Sequence, residues 1–294
     1  NYMETSEFEE RYARMEQWVE TLRIELAAII TESPPAIIYH YTDIDGLRGM
    51  VITGKIWATH VSKLNDSSEY HHGITVVKDC VRNSMPASSK PLMDKILSEF
   101  ERVEPYVASY STKQDLLSQW RGYSGGKVGY CLGLTTDGIA TFDDSTPLLE
   151  LVIYKDSLAQ QVISTMVKRV EEYLQDNQFG DVEVGSLLGT VGAMLAILAC
   201  TIKHPKFEEE NECRQFYRPG TTSLQLEQKF RNGRFGLTPY VEVPFITENR
   251  LPLRSVTIGP CKDAGLEINT VKTLLEKHSY SNVEILNSEI PLRV

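Results

Sequence analysis

Two long helical patterns stand in the middle of this chain with strand patterns on both sides, and that order constrains the fold more than any other feature. Residues 156–177 and 181–203 read as consecutive helices. Short β-branched and aromatic runs precede them at 36–42, 55–59, 106–111, 128–134 and 148–154, and others follow at 213–218, 239–244, 253–258 and 283–285. Helices are predicted between strands at 44–53, 65–83, 91–102, 115–121 and 263–278. This is no regular alternation of strand and helix, so the predicted class is α+β with a mixed central sheet. A further helix is predicted at 7–31, where Met15, Trp18, Val19, Leu22, Ile24, Leu26 and Ile29 recur at roughly helical spacing until Pro34-Pro35 stops the pattern. The chain is therefore read as one domain over 1–294, with an N-terminal helix extension at 7–31 and a helical insertion at 156–203.

Charge narrows the function classes. A net charge of −10 and a pI near 5.2 argue against gripping nucleic acid by bulk electrostatics, because phosphate contacts need clustered Lys and Arg. The longest aliphatic run, at 191–202, is shorter than a membrane span, so no membrane association is expected and the run reads as a buried helix. The acidic, polar opening does not read as a secretory signal. Cys80, Cys131, Cys200, Cys213 and Cys261 have neither zinc nor redox spacing and read as free thiols of a cytoplasmic protein.

Four segments could carry chemistry. Residues 39–42 read Tyr-His-Tyr-Thr, and strand alternation puts His40 and Thr42 on one face and Tyr39 and Tyr41 on the other. His40 and Thr42 could hold a ribose or an amide; taken alone, His40 reads more readily as a buried histidine bonded to backbone than as a ligand. Residues 57–70 run from Trp57 into a helix opened by Asn65 and Asp66, with Glu69 and Tyr70 placed at a pocket rim, although Asp66 and Glu69 also have capping-box spacing. Residues 115–123 concentrate Ser118, Gln119, Trp120, Arg121 and Tyr123, against the alternative of a core Trp with Arg121 paired to Asp115 or another carboxylate. Finally, Glu212 and Arg214 stand two apart on a predicted strand, so they share a face and the arginine keeps the carboxylate ionised. The other reading of that pair is a surface ion pair of little energetic weight. No metal-ligand pattern, phosphate loop, dinucleotide loop or nucleophile elbow is present in the sequence.

Taken together, the segments 39–42, 56–59, 64–69, 117–123, 212–214 and 288–293 resemble, in order and content, a mainly bacterial family catalogued as a domain of unknown function. The resemblance departs at Cys213, where that family commonly carries Trp. Residues 38–58 also resemble the opening of NAD-dependent ADP-ribosyltransferases, in which a His-bearing strand leads through a short helix and a Gly into a second strand. That resemblance implies an ADP-ribosyltransferase-like sheet and NAD as substrate without a metal. It implies His40 as ribose ligand, Tyr70 or Tyr123 as the stacking aromatic, Glu212 as the catalytic carboxylate, and Arg121 or Arg214 on the pyrophosphate. Thr42, Trp57, Ser118 and Gln119 complete the expected cofactor-binding set, with Asn65, Asp66 and Glu69 as additional candidates.

Three functions stay open at this point. The first is an enzyme that cleaves the nicotinamide glycosidic bond and transfers ADP-ribose to an unknown macromolecule or to water, as a bacterial toxin or defence effector. Such a reaction builds oxocarbenium character that a carboxylate stabilises. The second is a non-catalytic nucleotide-sensing or protein-interaction module. The third is a metal-dependent nuclease using Asp66, Glu69 and Glu212. The apolar insertion at 156–203 is expected to meet a second copy or a partner protein.

Overall fold

A computed structural model describes residues 2–64, 67–123, 127–139, 149–177, 179–219, 225–233, 236–245 and 250–291. The chain divides into two compact units. A helical unit is assembled from Asn1–Ser33, Asp66–Pro105 and Ile153–Pro205, and a sheet unit from Pro34–Asn65, Tyr106–Val152 and Lys206–Val294. The class is α+β with a mixed, open central sheet.

The helical unit holds α1 (Tyr2–Ile29), α3 (Ser67–Ser84), α4 (Lys90–Glu101), α6 (Asp156–Asp176) and α7 (Asp181–Thr201). Helix α7 is apolar all round and lies inside this unit, with Leu187, Val191, Leu195 and Ala199 buried. The sequence reading counted only its aliphatic half. The glycines of the first half, Gly185 and Gly189, do not interrupt the hydropathy, and the 21-residue helix is long and apolar enough to cross a membrane. A core helix passes the same test, and 61% of its apolar window is buried within the protein. A Cβ on Gly73 of α3 would stand 2.0 Å from the Ala199 carbonyl oxygen, and one on Gly192 of α7 would stand 2.7 Å from the backbone of α4. Backbone-to-backbone approach at both crossings therefore demands glycine.

The sheet unit holds β1 (Ile37–Thr42), α2 (Ile44–Thr53), β2 (Lys55–His60), β3 (Tyr106–Ser111), α5 (Leu117–Tyr123), β4 (Tyr130–Thr135), β5 (Leu149–Leu151), β6 (Glu212–Tyr217), β7 (Lys229–Gly233), β8 (Gly236–Pro244), β9 (Leu253–Ile258), α8 (Ala264–Lys277) and β10 (Glu284–Asn287). The strands run in the order β10-β9-β4-β1-β3-β2-β8-β7, with β6 on β3 and β5 on β6. Only β9 and β10 pair in parallel; every other described pair is antiparallel. Helix α2 begins and ends on chemistry visible in the sequence. Asp43 accepts from the Gly46 N–H at 2.9 Å, and Gly54 closes the helix in the left-handed region at φ 68°.

One junction shapes everything that follows. Strand β6 pairs along the whole of β3, from Tyr106↔Tyr217 to Ser111↔Glu212. Strands β1 and β2 must therefore share the opposite edge, β1 at Ser111 and β2 at Tyr106 and Val107. The sheet forks there.

Candidate functional site

The register across the fork decides which predicted site residues meet. Tyr39 stands opposite Ser111, and Ser111 opposite Glu212, so these three side chains form one row on one face. His40, one residue along, projects from the other face and meets the Tyr110 ring edge-on at 5.6 Å. Glu212 and His40 therefore do not converge on one ligand atom along this row.

The Glu212 face carries a small recess, lined by Tyr39, Tyr41, Ser109 and Ser111 from the strands and by Gln119 and Tyr123 from α5, with Glu212 in its wall. Asn211 enters the left-handed region at φ 46° after the turn at Pro205–Glu210, and this bend delivers Glu212 as the first residue of β6. Arg214 donates from Nε to Glu212 Oε1 at 2.7 Å and from Nη2 to Oε2 at 3.0 Å. Both side chains are buried, at 6% and 4% exposure. This is a bidentate pair within the sheet unit, not the surface ion pair the sequence left open, and it holds the carboxylate ionised.

Neighbouring polar groups are also engaged. Ser111 donates to the Glu210 carbonyl at 2.8 Å, and Gln119 reaches the Glu210 carboxylate at 3.4 Å. The Tyr41 hydroxyl donates to the Lys113 carbonyl at 2.9 Å and accepts from the Leu116 N–H at 3.1 Å. Burial raises the Tyr39 and Tyr41 hydroxyl pKa values, so both stay protonated donors. Glu150, which the sequence reading passed over, stands directly opposite Arg214 in the β5–β6 ladder. Burial pushes its carboxyl up to about 7.

His40 performs a different task. Its Nδ1 lies 2.9 Å from the Ser109 carbonyl oxygen. A carbonyl can only accept, so the proton is on Nδ1, and the neutral ring keeps Nε2 as an acceptor. Desolvation lowers its pKa to about 4, helped by the Arg231 charge and opposed by the Ser109 bond. Thr42 shares that face and is covered by α2: a Cβ on Gly46 would lie 1.9 Å from its Oγ1.

The other predicted residues scatter. Trp120 is fully buried with its indole on Asp115 at 2.6 Å, and Asp115 also accepts from the Ser288 hydroxyl at 2.7 Å and the Glu289 N–H at 2.9 Å. The alternative that Arg121 pairs with Asp115 is overturned: Trp120 takes Asp115 and Arg121 is exposed. Ser118 is half-buried on the same helix but does not line the recess. Tyr70 packs against the core of the helical unit. Trp57 lies on β2 beside Tyr240. Asn65 and Asp66 fall outside the described residues, as does the side chain of Glu69.

Arg231 lies on β7, a strand that the sequence pattern does not announce, because Lys-Phe-Arg-Asn-Gly is polar and alternates weakly.

Comparison with known proteins adds one finding. The profile of a family described as a protein of unknown function (DUF2971) matches residues 119–215, which run from Gln119 of the recess into β6. No curated protein and no solved structure matches the chain.

Proposed function

We propose that the sheet unit binds a nucleotide and that Glu212 is the carboxylate that stabilises glycosidic-bond cleavage, with NAD as substrate. The observation that carries this reading is a buried carboxylate, held ionised by Arg214, in the wall of a recess lined with hydroxyl groups. Hydroxyls from Tyr39, Ser109 and Tyr123 suit a sugar, and a fixed anion lowers the energy of the positive charge that builds as nicotinamide departs. In this reading Glu212 acts electrostatically and the sugar is oriented from its own face, while His40 serves the fork. The ADP-ribosyltransferase type of sheet, a macromolecular acceptor and a toxin or defence role belong to the same proposal.

A second reading, a nucleotide sensor without chemistry, is favoured by one observation: both Glu212 oxygens are engaged by Arg214. The two are separated by incubating the protein with NAD and following free nicotinamide. Release is expected in the parent and not in Glu212→Gln. Because that replacement takes away the carboxylate Arg214 binds at two points, the companion is Glu212→Gln with Arg214→Met, which removes both charges. Release that persists in the folded double variant refutes a catalytic role for Glu212. A folded parent that binds NAD and releases nothing is the sensor.

A further inference from the structure

Arg231 sits on β7 with its guanidinium carbon 5.6 Å from the Trp57 ring centroid and 5.9 Å from that of Tyr240. The ladder pairs explain the company. Tyr240 lies opposite both Thr59 and Lys229, Trp57 opposite Glu242, and Arg231 opposite Thr238, so these side chains share one face. Arg231 Nη2 donates to Thr59 Oγ1 at 3.0 Å. Among the described residues no carboxylate forms an ion pair with it. Glu242 is already engaged by Lys229 at 2.8 Å, and Asp43 is felt only as a distant charge.

Two donors here are left over. Arg231 Nε and Trp57 Nε1 are buried with no acceptor among the described residues. Buried N–H groups are almost always bonded, so two unmet donors in one cluster leave a place for an acceptor that the described residues do not supply. Arg231 brings a positive charge and several N–H donors beside the indole N–H, and a phosphoryl group presents several anionic acceptor oxygens to such a set. We propose that this face of the β2–β8–β7 ladder is a phosphate site, in which Arg231 and the Trp57 indole N–H bind one phosphoryl group, free or carried by a nucleotide. The site stands whether or not the protein cleaves NAD.

The test uses the full chain and its tryptophan side-chain amide resonances. The chain has three tryptophans, and Trp57→Phe assigns the signal. Pyrophosphate, ADP and adenosine are titrated in turn. Pyrophosphate and ADP are expected to shift the Trp57 signal saturably, and adenosine is expected to leave it unmoved. Arg231→Met is expected to weaken the phosphate ligands about tenfold or more. If that variant does not fold, Thr59→Val, which removes the hydroxyl steering the guanidinium, is read in the same way. Tighter binding of ADP than of pyrophosphate assigns the phosphate to a nucleotide, and the reverse assigns it to a free anion. No shift with either in a folded protein, or an unchanged midpoint in the variant, overturns the site.

Discussion

Arg214 gives two hydrogen bonds to one buried carboxylate, whereas Arg231 lies over two aromatic rings with its Nε unmet and only a threonine hydroxyl on its Nη2. Both belong to the sheet unit, and both were brought into place by strand register rather than by a local motif. The difference separates a charge used inside the protein from a charge left for something else. A guanidinium paired with a buried carboxylate organises its surroundings; one that merely stacks still has donors to give.

The comparison breaks first on charge removal. Glu212→Gln removes the buried carboxylate that Arg214 grips at two points, with an expected cost of about 3–5 kcal/mol in urea unfolding. The double change with Arg214→Met is expected to recover much of it. Equal losses in the single and double variants would mean the pair is not coupled.

Each arginine also has a titratable neighbour. His40 feels Arg231, and its pKa falls from 6.5 to about 4 on folding. Its contribution is therefore full above pH 6.5 and is lost as pH drops toward 4. Glu150 faces Arg214, and its pKa rises from 4.5 to about 7. Its contribution is full below pH 4.5 and is lost as pH rises toward 7. Each is worth at most about 3 kcal/mol, and in the shared window they oppose each other. Relative to the parent, Glu150→Gln is expected to gain stability from pH 5 to 7, and His40→Asn to lose it from pH 4 to 6.5. Unfolding curves that stay parallel to the parent's across that range would contradict both assignments.

Arg231→Met sharpens the contrast from the other side. Losing the stacking and the bond to Thr59 is offset by removing a desolvated charge, so the net change is expected within about 1 kcal/mol. A loss as large as that of Glu212→Gln would show a hidden pairing. The smallest effect lies outside the sheet's charges: Asp43→Ala removes the α2 cap and is expected to cost about 1 kcal/mol in thermal or urea unfolding. No loss would leave that cap without energetic weight.

Local chemistry was the legible part. The cap at Asp43, the left-handed Gly54 and the alternation through 37–42 place β1, α2 and β2 close to their sequence limits. Alternation also put Tyr39 and His40 on opposite faces. What it could not supply was which strand pairs with which, and in what register. His40 and Glu212 are 172 residues apart in the sequence, and their separation onto two faces follows only from β3 lying between them. The segment at 115–123 misled for a related reason. Its tryptophan serves Asp115, which gathers Trp120 with the Ser288 hydroxyl and the Glu289 N–H, and no local pattern announces a partner so distant in the chain. Arg231 was lost with an edge strand whose polar alternation resembles a loop.

The fork in the sheet has a consequence for how position 40 tolerates change. Where β1 leaves β3, the His40 ring, not a main-chain amide, meets the Ser109 carbonyl. The span from Cα to a donor then fixes how far the two branches part. Asparagine presents an N–H at nearly the reach of imidazole Nδ1 and can stand in for it; glutamine overshoots and alanine offers nothing. The angle of the fork is thus written in the length of one side chain.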